Sequence, residues 1–120
     1  MKSDEWTHED LVIVSVGEDW PRSPPRNLVS YSFTVDPDAK DVLLIAVFDG
    51  PISDDDRDEI LALEGAVGGQ IPADWQANTR LVLLEEGEAP APGASTVIFQ
   101  RGSAVTPNAL LTEVLGRHGR

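Results

Sequence analysis

Ser53–Ile60 reads SDDDRDEI, with four aspartates, one glutamate and one arginine in eight positions. Carboxylates this dense can hold a metal, share a proton, face a cationic partner or open a helix. Asp54, Asp56 and Asp58 match positions 1, 3 and 5 of an EF-hand calcium loop. The loop's position 6 needs glycine and here is Glu59; its position 12 needs a bidentate glutamate and here is Gly65. The calcium reading therefore fails at both discriminating places, and no metal is expected. Ser53 followed three residues later by Asp56 instead resembles a capping box, and Asp54, Asp55 and Asp56 then stand in a first helical turn, where exposed N–H groups favour negative charge.

Acid–base chemistry needs carboxylates in unlike environments, one held neutral and one ionised. Asp49, at the end of an apolar run and before Gly50, is placed as a catalytic carboxylate can be, although an Asp-Gly turn explains it as well. Glu64 interrupts the apolar arc of the helix that follows and is a candidate for a paired or perturbed carboxylate. His8 and His118 sit in terminal segments (1–9 and 117–120) expected to fray, each without a second ligand nearby. There is no cysteine, so no thiolate nucleophile, disulfide or Cys-based zinc site. No G-x-S-x-G elbow, phosphate-cradling loop or dinucleotide fingerprint occurs. The expectation is a binding protein and not an enzyme, without a cofactor; a small-ligand or catalytic domain built on Asp49 and Glu64 is the alternative.

The tryptophans point the same way. Trp6, Trp20 and Trp75 fall outside the periodic segments, and Trp20 and Trp75 have acidic neighbours: Glu18, Asp19 and Asp74. An aromatic anchor rimmed by carboxylates suits a basic protein surface; a fold-back onto the core is the competing role. The candidate partner-binding set is Trp20, Asp54, Asp55, Asp58, Glu59, Trp75, Glu85, Glu86 and Glu88.

These residues must be positioned by a single domain, since 120 residues leave no room for two robust cores. Strands are predicted over Leu11–Val16, Leu28–Val35, Val42–Phe48, Arg80–Glu85 and Thr96–Gln100. Leu28–Val35 alternates, with Val29, Tyr31, Phe33 and Val35 on one face and a wet face of Ser30, Ser32 and Thr34. DPDAKD (36–41) suits a hairpin turn, and VLLIAVF (42–48), apolar on both faces, suits a central strand. A helix follows Ser53, with Ile60, Leu61, Leu63 and Val67 at helical spacing on one arc, and ends in GAVGG (65–69). Residues 70–79 read as a loop and 86–95 as a proline-rich connector. Thr106 and Pro107 open a last helix with Leu110, Leu111, Val114 and Leu115 as its stripe. The fold class is α+β, in the order β-β-β-α-β-β-α: a mostly antiparallel sheet of about five strands with two helices on one face.

The net charge of −12 is lopsided: five Lys/Arg against fifteen Asp/Glu in residues 1–60 (−10), and four against six in 61–120 (−2). Such a field repels phosphate backbones and anionic lipid and attracts a basic protein. An acidic start without an apolar stretch, and no run approaching about 20 apolar residues, lead to the expectation of a soluble cytoplasmic protein. In size, acidity and the strand–acidic turn–helix pattern of residues 36–67, DPDAKDVLLIAVFDGPISDDDRDEILALEGAV, the chain resembles immunity proteins of bacterial toxin–immunity systems, including those of contact-dependent inhibition. The resemblance covers about a quarter of the chain. It implies a cognate toxin as partner, often a basic nuclease, bound so that its active site or substrate surface is masked. A DNA-mimicking inhibitor of a nucleic-acid-binding protein is a further alternative.

Overall fold

Val42–Phe48, the longest apolar run, lies at the centre of the sheet. In the computed structural model, which describes residues 6–21, 24–84 and 96–117, the element order is α1 (His8–Asp19), β1 (Leu28–Asp36), β2 (Asp41–Phe48), α2 (Asp54–Gly68), β3 (Gln76–Leu83), β4 (Thr96–Gln100) and α3 (Pro107–Arg117). The strands are ordered β3-β2-β1-β4. β1 pairs antiparallel with both β2 and β4, whereas β2 and β3 are parallel. The α+β class is thus as expected. The sheet, however, has four strands and is mixed, and three helices cover it instead of two.

The β1–β2 hairpin follows from its turn. Asp36 Oδ1 accepts from the amides of Asp38 (3.1 Å) and Ala39 (3.2 Å), and Lys40 takes the left-handed conformation, φ 53°, that closes it. The register from Phe33↔Leu44 to Val35↔Val42 places Tyr31, Phe33 and Val35 on the face that also carries Val42, Leu44, Ala46 and Phe48. That face meets the helices in one core, with Val12 and Val16 from α1, Ile60, Leu63 and Val67 from α2, and Val114 from α3. Ser30 and Ser32, expected to be wet, are buried.

The strand expected over Leu11–Val16 is the middle of α1. Two causes override the β-branched composition. Thr7 and Asp10 form a full capping box: Asp10 N donates to Thr7 Oγ1 (3.0 Å) and Thr7 N to Asp10 Oδ2 (3.3 Å). In addition, α1 lies between α2 and α3 and over the sheet, so it is apolar nearly all round and has no amphipathic stripe to read. Its buried positions, Val12, Ile13 and Val16, keep helical spacing. Gly17 lets α3 approach closely: a Cβ there would stand 3.0 Å from Leu111 Cβ and 3.4 Å from the Pro107 carbonyl oxygen of α3.

β3 begins at Gln76, four residues before the expected Arg80. Parallel pairing with β2 from Asp41↔Gln76 onward fixes it, and the polar QANT stretch hid it. α2 runs through Gly65 and stops at Gly68, capped by Gly69, whose amide reaches the carbonyls of Gly65 and Val67. α3 starts as its sequence implies, with Thr106 Oγ1 accepting from Ala109 N at 3.1 Å. No helix among the described residues is long and apolar enough to cross a membrane.

Candidate partner-binding surface

The acidic stretch is the start of α2. Ser53 Oγ accepts from Asp56 N at 3.1 Å, and Asp54, Asp55 and Asp56 occupy the first turn. Each gains about 0.3–1 kcal/mol there from the helix dipole. Ile60, Leu63 and Val67 turn to the core and leave Asp54, Asp55, Asp58 and Glu59 on the exposed surface. None of these four carboxylates has an ion-pair partner among the described residues. Asp54, Asp56 and Asp58 lie along a helix and not around a calcium loop.

A second acidic group stands at the end of α1. Glu18 and Asp19 close its last turn, which contains no basic residue. Carboxylates are disfavoured there, because the unpaired carbonyls give a helix C-terminus partial negative charge. Dipole and cap account for Asp54–Asp56; nothing in the fold calls for Glu18 and Asp19. α2 begins at Asp54, six residues after Phe48, and Trp20, which caps α1, packs its ring 5.5 Å from those of Tyr31 and Phe99. Tyr31 pairs with Ala46, near the same end of β2. Glu18, Asp19, Trp20 and the first turn of α2 therefore share one end of the sheet.

Trp75 lies at the opposite end, just before Gln76, which pairs with Asp41 at the start of β2. It stacks on His8 at 4.1 Å and 20° between the ring planes. Both tryptophans are half-buried against the core. The fold brings Trp20, and not Trp75, to the acidic end. Glu85, Glu86 and Glu88 lie outside the described residues. His8 and Glu9 belong to the first turn of α1 and Arg117 to the last turn of α3.

Asp49 and Glu64 are far apart. From Ser53 to Glu64 α2 advances roughly 16 Å at about 1.5 Å per residue, away from the Asp49 end. Asp49 is held by Arg101 through two side-chain contacts, with Nη1 to Oδ1 at 3.4 Å and Nη2 to Oδ2. The hydrogen bonds and charge of the guanidinium keep its carboxyl below the usual carboxylate range and raise Arg101 in turn. Arg101 also donates to the Arg26 carbonyl and its amide to that of Val29, so it ties the end of β4 across β1 to the end of β2. Glu64 acts on a different neighbour. Burial first, and the Glu64 carboxylate second, push the Tyr31 phenol up, and its Oη is buried without a hydrogen-bond partner, as is Thr79 Oγ1.

Sequence reasoning missed Asp10. Its side chain is only 4% exposed and pairs with Arg117 Nη2 at 2.9 Å, joining the first turn of α1 to the last of α3. The Thr7-x-x-Asp10 spacing was the available signal; the partner 107 residues away left none. No protein-family model, curated protein or solved structure matches the chain.

Proposed function

We propose that the protein is a non-catalytic binding module that neutralises a basic protein, in the manner of an immunity protein masking its cognate bacterial toxin from within the cytoplasm. The observation that carries this reading is the acidic end of the sheet. There Glu18 and Asp19 stand against the α1 dipole, beside Trp20 and at the same end as the exposed Asp54 and Asp55. A cationic group from a partner relieves the unfavourable charge at the α1 terminus, and the half-buried indole supplies a rigid apolar anchor beside it. Asp58 and Glu59 extend the field along α2 and steer the encounter.

The test is capture of partners by the tagged protein from lysate of its own source at low and high salt, with identification by mass spectrometry. One stoichiometric basic protein, lost in high salt, supports the reading; no such protein at either salt overturns it. With the partner in hand, replacing Asp54, Asp55 and Asp58 together by asparagine should lower the association rate about tenfold or more at low salt and flatten its salt dependence, the dissociation rate changing less. Unchanged association would remove α2 from the interface.

A further inference from the structure

The sheet ends in two strands that are guarded very differently. β4 carries the devices that blunt an edge: it has five residues, and its pairing with β1 slips between Tyr31 and Ser32. β3 is neither short nor slipped. It has eight residues in unbroken register with β2, from Asp41↔Gln76 to Phe48↔Leu83, and no bulge, no proline and one charge, Arg80. Its outer side pairs with no strand among the described residues. A long, regular edge with free N–H and C=O groups is a ready template for another strand. It also ends in Leu83, whose 58% exposure is the largest among the exposed large apolar side chains of the described residues.

The surroundings of this edge select the occupant. α2 packs on β3 and presents Asp54, Asp55, Asp58 and Glu59 to solvent. A second copy of the chain pairing edge to edge would bring two such helices together, each in a chain of net charge −12, which like-charge repulsion opposes. An extended segment carrying lysine or arginine has the opposite sign. We infer that β3 receives an extended cationic segment of another protein by strand addition, with Leu83 and the carboxylates of α2 setting which segment is accepted. Backbone hydrogen bonds along β3 supply affinity, and alternate side chains of the added strand meet the two faces of the sheet at this edge. The inference rests on the basic-partner reading and adds where that partner docks.

The experiment uses the full chain and a synthetic peptide of about eight residues alternating lysine and valine, matched in length to β3. Amide hydrogen exchange is followed residue by residue by NMR at low salt. Strand addition predicts that exchange slows tenfold or more at outward-facing amides of β3 and not at β4. N-methylation of every peptide amide should weaken binding at least tenfold while keeping its charge, and a glutamate–valine peptide should not bind. Binding that perturbs α2 yet leaves β3 exchange unchanged overturns strand addition and leaves the cationic-partner reading standing. Absence of binding by the lysine–valine peptide overturns strand addition as well, the wider reading then resting on the lysate capture alone. Protection of β3 that rises with protein concentration without peptide overturns it in favour of a second copy.

Discussion

Asp10 shows how one side chain can hold three duties at once. Its carboxylate completes the capping box, accepts from Arg117 and sits almost wholly out of water. Removing Arg117 leaves that charge buried with less compensation, so Arg117→Met should cost about 1–3 kcal/mol of unfolding free energy by urea titration, although the Arg117 side chain itself is half exposed. No loss would mean that water serves Asp10 as well as the guanidinium does. Asp49 differs, because its pair with Arg101 lies on the surface. Its folded pKa lies below the usual 3.8, so the pair contributes stability above that value and loses it as pH falls through the depressed one. The stability difference between the parent and Asp49→Asn should therefore be constant above about pH 5 and close below about pH 4. A difference that persists unchanged to lower pH would remove the ion pair as its cause.

At the scale of elements, the helices and strands that read correctly are those whose local signals agree with their surroundings. β1 alternates in sequence and is a strand, although its serine face is buried; β2 is central and apolar after Asp41, α2 has its serine cap and acidic first turn, and α3 has Thr106–Pro107. α1 and the start of β3 were illegible for opposite reasons. α1 is buried on so many sides that its apolar run has no period to show, and Gln76–Thr79 is polar because it lies on an edge. Of the candidate site, the acidic face of α2 was legible from composition and capping; which tryptophan shares its end was not, because that depends on strand order. The α1–α3 crossing is close at Gly17. Gly17→Val should destabilise by about 1–3 kcal/mol through overpacking against Leu111 and the Pro107 carbonyl. Gly17→Ala sets the gain in helix propensity against a Cβ that needs only a few tenths of an ångström, so it should lie much nearer neutral. Equal effects of the two would place the strain elsewhere.

For the whole molecule the net charge of −12 sets the terms. Three ion pairs join described residues, Lys40–Asp74, Arg101–Asp49 and Arg117–Asp10, while exposed carboxylates such as Glu18, Asp19, Asp54, Asp55, Asp58 and Glu59 enter none of them. Raising ionic strength from about 0.01 M to about 1 M shortens the screening length from roughly 30 Å to 3 Å. Repulsion among exposed carboxylates then fades more than the three pairs weaken, and Tm should rise by about 4–8 °C. A flat or falling Tm would show that the pairs outweigh the repulsion.

The Asp10–Arg117 clasp also bears on the order of folding events. It joins residues 107 apart, whereas the β1–β2 hairpin closes across a four-residue turn. The long closure can bring a return only once α1 and α3 are both seated on the sheet. The clasp thus belongs to the far side of the folding barrier, and Arg117→Met should leave the refolding rate almost untouched while unfolding accelerates by nearly the whole equilibrium loss. The one ion pair that spans most of the described chain would then act as a brake on opening, with little part in assembly.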